Sequence, residues 1–281
     1  MIIVQNYING KFESIDSTIE DVNPATGEVI AQIPKSGSLE VENAVDAADL
    51  ARKSWSDLGL EKRTIWLDKI ADVLESKSEE IASLESLDTG KPISLARAVD
   101  ASRSISNFRF FAEFARDYSD EKFEMEDAIN HVVRKPVGIA GLITPWNLPL
   151  YLLSWKIAPA IAAGNTVVLK PAETTPLTAL LLAEVIRDVD LPPGVINIVT
   201  GAGATGSAIV EHPEVNKLAF TGSTEVGKLI QRSAVKRNLP LTLELGGKAP
   251  HVIFEDAALD QAIEGVINGI FFNQGHVCCA G

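Results

Sequence analysis

Cys278 comes directly after the polar, glycine-containing run Asn273-Gln274-Gly275-His276-Val277. A lone cysteine is commonly a small buried hydrophobe, but a thiol leaving a polar turn is also a candidate nucleophile. Glu244, earlier in the chain, is a carboxylate that could serve it as general base, and a thiolate with a separate base is what acyl-enzyme chemistry needs. Asn147 stands between Pro145 and Pro149 beside Trp146. Its amide could donate a preorganised hydrogen bond to a developing oxyanion, although the same residues also suit a helix cap and a packed indole. Lys170-Pro171-Ala172-Glu173 sets a cation and a carboxylate in one short turn, a pair suited to ribose hydroxyls and equally to a solvated salt bridge.

The run Gly222-Ser223-Thr224-Glu225-Val226-Gly227 keeps the outer glycines of a G-x-G-x-x-G phosphate loop, with threonine at the middle position. Such a turn lets a pyrophosphate approach the backbone at a helix N-terminus. Dinucleotide folds place a ribose-binding acid about 20 residues further on. Spacing does not choose between Glu244 and Glu173 for that task. Gly247-Lys248 is followed by Ala249 instead of Ser or Thr, and Thr242 stands at the first glycine position, which excludes a triphosphate loop. His131, His212, His251 and His276 show no metal-ligand spacing with one another or with the cysteines, so no metal is expected.

These groups need a scaffold that gathers them. Short apolar runs predict strands at Ile139–Ile143, Thr166–Leu169, Val195–Val199, Lys217–Phe220, Leu241–Leu245 and His251–Phe254. Helical stretches near Leu148–Ala162, Pro176–Asp188, Ala204–Glu211, Thr224–Val235 and Ala257–Phe272 lie between or after them. Alternating strands and helices imply a mainly parallel, Rossmann-like α/β sheet with helices on both faces, whose ligands bind at the carboxyl ends of the strands. Before it, the chain to about Ile33 reads as short strands with turns at Asn9-Gly10 and Asn23-Pro24-Ala25-Thr26-Gly27. A helix follows on Val41, Ala44, Val45 and Ala48, and a second helical stretch carries Ile70, Val73, Leu74, Ile81 and Leu84 up to Gly90-Lys91-Pro92. Arg97 to Ala115 is helical in pattern, whereas Tyr118 to Lys135 is polar and acidic and predicts a protruding hairpin or linker.

The chain of 281 residues suits one large domain or about two. Its net charge of −13 argues against nucleic acid and against anionic membrane surfaces. No charged leader precedes an apolar stretch and no window reaches about 18 consecutive apolar residues, so a protein without a membrane span or secretory signal is expected. Cys278 and Cys279 are adjacent and can staple no loop, which fits a reducing, cytoplasmic compartment.

Five segments in order, Thr144-Pro145-Trp146-Asn147, Lys170-Pro171-Ala172-Glu173, Phe220-Thr221-Gly222-Ser223-Thr224-Glu225-Val226-Gly227, Leu243-Glu244-Leu245-Gly246-Gly247-Lys248 and Asn273-Gln274-Gly275-His276-Val277-Cys278, closely resemble the aldehyde dehydrogenase superfamily. Arg103-Ser104-Ile105-Ser106-Asn107-Phe108-Arg109-Phe110-Phe111 and Leu150-Tyr151-Leu152-Leu153-Ser154-Trp155-Lys156 are similar to its muconic semialdehyde dehydrogenase branch. The resemblance implies oxidation of a small-molecule aldehyde to a carboxylic acid with NAD. Cys278 would attack the carbonyl, Asn147 and the Cys278 N–H would hold the oxyanion, and Glu244 would activate the hydrolytic water. Lys170 and Glu173 would bind the adenosine ribose, Gly222, Ser223 and Gly227 would line the pyrophosphate, and Ile143, Trp146 and Gly203 would lie nearby. A carboxylate at Glu173 would repel a 2′-phosphate, favouring NAD over NADP.

By the same resemblance, 1–117 with 137–246 form the NAD-binding domain, 118–136 an oligomerisation hairpin for a homodimer or homotetramer, and 247–281 the start of a catalytic domain. Family members are nearly twice as long, so an N-terminal fragment is expected, inactive and aggregation-prone when isolated. His276 departs from the family's usual glutamine. Two alternatives stand beside this reading: a non-catalytic nucleotide-binding homologue, and a CoA-acylating aldehyde dehydrogenase that releases its thioester to CoA.

Overall fold

A computed structural model describes residues 1–280. Asn9 and Gly10 both take positive φ, the requirement of a two-residue hairpin turn, and they join β2 (Asn6–Ile8) to β3 (Lys11–Glu13). β1 (Ile2–Ile3), β4 (Thr18–Val22) and β5 (Val29–Pro34) make a separate three-stranded sheet. Helices α1 (Ser38–Asp57), α2 (Leu60–Ser76), α3 (Ser78–Thr89) and α4 (Ser102–Asp117) follow. The exposed hairpin β6 (Glu121–Glu124) and β7 (Ile129–Val132) comes next. Then come β8 (Ile139–Ile143), α5 (Pro149–Ala162), β9 (Thr166–Lys170), α6 (Leu177–Asp188), β10 (Ile196–Ile198) and α7 (Gly203–Glu211). β11 (Val215–Gly222), α8 (Thr224–Val235), β12 (Leu241–Leu245) and α9 (Leu259–Phe271) complete the described chain.

The main sheet has seven strands in the order β12-β11-β8-β9-β10-β2-β3. Its first five strands are parallel, and β2 joins β10 antiparallel. β8 and β9 are buried at every position, which is why β8 and the Val167–Leu169 part of β9 read as apolar runs without alternation. Successive side chains still serve opposite faces. Ala140, Leu142, Val167 and Leu169 pack with α2, α4, α5 and α6, whereas Ile139, Ile143 and Val168 pack with α7, α8 and the first half of α1. The fold is thus the expected doubly covered α/β sheet, with the segment after each parallel strand emerging along one edge.

Three local expectations are refined or corrected. The stretch carrying Ile70 to Leu84 is not one helix: Lys77, at φ −103° and ψ 14°, breaks it into α2 and α3, which lets Leu84 and Leu87 also reach the small core of the first sheet. The segment from Arg97 begins as a π-helical stretch, Ala96–Ala101, before α4. His251–Phe254 is not a strand. No neighbouring strand pairs with it among the described residues, so its backbone has no ladder to join, and Val252, Ile253 and Phe254 stay exposed. No helix among the described residues is long and apolar enough to cross a membrane.

The C-terminal part of α3 presents acids to two helix N-termini, where backbone N–H groups lack partners. Glu85 accepts from Leu150 N at 2.9 Å and from Thr178 Oγ1 at 3.0 Å, and Asp88 accepts from Leu177 N at 2.9 Å. Burial pushes Glu85 up to about 7, and burial with the neighbouring Asp21 carboxyl pushes Asp88 up to about 9. Asp21 and Asp88 each keep a carboxyl oxygen buried without a partner, and neighbouring carboxyls shut in together favour the form that holds a proton. Acids with raised folded pKa contribute stability that is present at low pH and lost as pH rises toward the folded value. The unfolding midpoint is therefore expected to fall from about pH 5 to pH 9, and Asp88→Asn, which mimics the protonated acid, to remove most of the fall above pH 7. A calorimetric series at several pH values checks this, and a midpoint that rises over the same window contradicts it.

Candidate active site

Beyond the carboxyl ends of β8, β9 and β11 lies a groove of about 760 Å³ lined by Ile143, Trp146, Lys170, Glu173, Gly203, Gly222 and Ser223. Lys170 donates to Glu173 Oε2 at 2.9 Å and to Pro171 O at 3.0 Å. The pair is therefore preset at the groove wall, with Glu173 partly exposed to what enters. Ser223 caps α8 by accepting from Val226 N at 3.2 Å. The Thr144 hydroxyl, also in the lining, is buried without a partner and so offers an unused hydrogen bond.

Gly227 is not among the residues that line this groove, whereas Gly222, Ser223 and Val226 are. A Cβ there would come within 2.6 Å of Leu245 Cδ2, so the missing side chain lets α8 pack closely on β12. Spacing had left Glu173 and Glu244 as rivals for a ribose. The structure puts Glu173 in the groove and Glu244 outside it.

Glu244 lies opposite Thr221 in the β11–β12 register and shares a second cavity, of about 600 Å³, with Cys278, Lys156, Trp155, Leu152 and Leu142. Strand alternation separates the two spaces. Ile143 and Phe220 face the groove, whereas Leu142 and Ala219 face the thiol cavity, on the other side of the sheet. Thr221 lies in the lining of both, and past the strand ends Trp146 and Asn147 stand between the groove and the turn before Cys278. The Asn147 amide donates to His276 O at 2.8 Å, which ties the loop after β8 to the turn before Cys278. Trp146 and His276 stack edge to face with ring centroids 4.8 Å apart.

Cys278 and Cys279 are free and exposed. Partial burial, and then the adjacent Cys279 thiol, push the Cys278 thiol above its ordinary value, so it rests protonated at neutral pH and needs a base to react. Burial lowers Lys156 to about 8, opposed by the Glu244 carboxylate nearby. Sequence reasoning singled out neither Lys156 nor Asn273 as a site residue. Lys156 had a signal, as the one charged side chain of the otherwise uncharged α5. Asn273 takes a positive φ and donates to Asn147 O at 3.0 Å and His276 O at 3.2 Å, contacts that spacing does not announce.

The arrangement is a thiol and a carboxylate on one side of a sheet edge, a charged groove on the other, and an amide donor between them. The sequence profile described as the aldehyde dehydrogenase family matches residues 12–281. The chain belongs to the aldehyde dehydrogenase family. It is 47% identical over 281 residues to 2-aminomuconic semialdehyde dehydrogenase of Homo sapiens, covering 99% of this chain and 58% of that protein. It is 45% identical over 285 residues to 2-hydroxymuconic semialdehyde dehydrogenase of Pseudomonas sp. (strain CF600), covering 98% of this chain and 59% of the relative. Among solved family structures, the NAD+ complex of an aldehyde dehydrogenase from Bacillus cereus matches with a TM-score of 0.96 and 41% identity, over 99% of this chain and 58% of that one. The chain thus spans a little under three fifths of the length of these family members.

Proposed function

We propose that the whole protein oxidises an aldehyde to a carboxylic acid with NAD. The observation that carries this is the joint placement of Cys278 and Glu244 in one cavity, with the Asn147 amide tied to the thiol turn beside the charged groove. The Cys278 thiol loses its proton to water and adds as the thiolate to the aldehyde carbon, and the amide of Asn147 and the N–H of Cys278 hold the oxyanion. NAD, bound in the groove, supplies the hydride acceptor. Loss of hydride from the tetrahedral adduct leaves a thioester on Cys278. Glu244 then takes a proton from water, whose oxygen attacks the thioester carbon, and the acid leaves as the thiol is restored.

The groove suits NAD on its own chemistry. Lys170 and Glu173 can divide the donor and acceptor needs of ribose hydroxyls, and the Thr144 hydroxyl awaits a partner. The Glu173 carboxylate disfavours a 2′-phosphate at the same place. We read 1–117 with 137–246 as the dinucleotide-binding part, 118–136 as a contact for assembly with other copies of the protein, and the residues from 247 on as the beginning of the catalytic part. Free Cys278 requires a reducing setting, in keeping with the cytoplasm.

One cation favours a substrate class. Arg97 is paired with Glu79, and Arg109 with Asp72 and Glu75, whereas Arg103 between them makes no ion pair among the described residues. It lies close enough to Tyr151 to stabilise its phenolate, and the two terminal cysteines act on the same phenol. An exposed, unpaired guanidinium suits an aldehyde that carries a carboxylate, such as a muconic semialdehyde. NADH formation by the whole protein, followed at 340 nm, tests both levels. Arg103→Ala is expected to lower kcat/KM about 10- to 100-fold for a carboxylate-bearing semialdehyde, the worth of a charge-assisted hydrogen bond, and to spare a neutral aldehyde. Equal losses on both substrates would remove the carboxylate reading, and no NADH from any aldehyde would remove the function.

A further inference from the structure

We propose that Lys91, braced by Asp100, is the positioning residue for Asn147; this rests on the reading of Asn147 as the oxyanion donor. Lys91 is 1% exposed and Asp100 is 0% exposed, so an ammonium and a carboxylate are shut inside the molecule together. Gly90, at φ 73°, ends α3 in the left-handed conformation and turns the chain inward, and a Cβ there would meet Pro24 Cγ at 2.9 Å. Asp100 is delivered by the π-helical stretch Ala96–Ala101, a widened turn of the kind found at functional sites.

The three N–H donors of Lys91 are all spent. Nζ lies 3.0 Å from Asp100 Oδ1, 2.9 Å from Asp100 Oδ2 and 3.1 Å from the backbone oxygen of Asn147. That oxygen also accepts from Asn273 Nδ2 at 3.0 Å. The Asn147 peptide is therefore pinned from two directions, which leaves its side-chain amide aimed at the turn before Cys278, where it donates to His276 O.

Stability alone does not account for the pair. A buried ion pair gains little over apolar side chains of the same volume, because the desolvation of both charges offsets their attraction. What an apolar pair could not do is hold a carbonyl. The neighbouring Glu85 braces the same loop one residue inside the helix, through Leu150 N, so the segment that carries Asn147 is fixed at both ends from α3 and the turn after it.

Replacing the pair together, Lys91→Met with Asp100→Leu, avoids leaving a lone buried charge, and Lys91→Met with Asp100→Asn, which is also uncharged and keeps the shape of the smaller side chain, is the milder pair should the first not fold. In the whole protein, the paired change is expected to lower kcat about 10- to 100-fold, the cost of misplacing a catalytic group by about an ångström, with KM for the aldehyde and NAD binding unchanged. Added to Asn147→Ala, it is expected to cost almost nothing further, because both act through one amide. Hydrogen exchange gives a readout independent of turnover: amides of 146–150 and 276–279 should exchange about tenfold faster, and those of α2 at the parental rate. Parental kcat, multiplicative losses or unchanged exchange in these segments would each overturn the tether. A parent protein that oxidises no aldehyde would instead defeat the proposed function, and the exchange measurement would still decide the tether.

Discussion

Cys278→Ser in the whole protein is expected to slow aldehyde-dependent NADH formation by at least about 10³-fold while leaving NAD binding unchanged. A serine hydroxyl ionises far less readily than even a thiol whose pKa is raised by burial, and the cavity around residue 278 holds one carboxylate, Glu244, and two lysines, Lys156 and Lys217. Without the covalent adduct there is no tetrahedral oxyanion for Asn147 to hold and no hydride donor. The groove is untouched, since it lies on the other face of the sheet and Cys278 is not in its lining. Stopped-flow kinetics and calorimetric titration with NAD separate the two effects. Turnover near the parental rate in the serine variant would leave the thiol without the role assigned to it.

Glu244→Gln should behave differently. Its expected signature is a rapid burst of about one NADH per site followed by steady-state turnover about 10²- to 10⁴-fold below the parent, the range for loss of a general base. The carboxamide fits the same space at an exposed position of β12, so folding is not at stake. Hydride loss needs no base once the adduct exists, but water does, and the thioester on Cys278 should accumulate to a level that mass spectrometry detects. Nearby Lys156, held near 8 by burial, loses the carboxylate that favours its charge and should titrate lower still. A variant with no burst and no trapped acyl group would move Glu244 from water activation to the first addition step.

Much of this was legible in one dimension. Asn9-Gly10 announced its hairpin because a two-residue turn demands positive φ at both positions. The apolar runs of β8 and of Val167–Leu169 in β9 announced a sheet covered on both faces, and the short reactive segments after strands announced the edge where the groove and cavity open. His251–Phe254 carried the same local pattern and yet is no strand, because a strand exists only when a neighbour supplies its hydrogen bonds. Gly227 looked like a phosphate-loop glycine, and only the nearness of Leu245 reveals a packing role. Lys91 read as part of a helix stop, since its partners Asp100 and Asn147 come from distant turns of the chain.

Local pattern therefore determined the α/β class, the inventory of thiol, carboxylates, amide and cation, and the order in which the chain presents them. These depend on residue type and on periods of two and 3.6, which neighbours in the chain reveal. Tertiary structure decided which face of the sheet each group meets, that Glu244 sides with Cys278 and Glu173 with Lys170, and which charges are buried deeply enough to change their protonation. Such properties arise from contacts among residues far apart in the sequence, and a shift of one residue along a strand would reverse every facing.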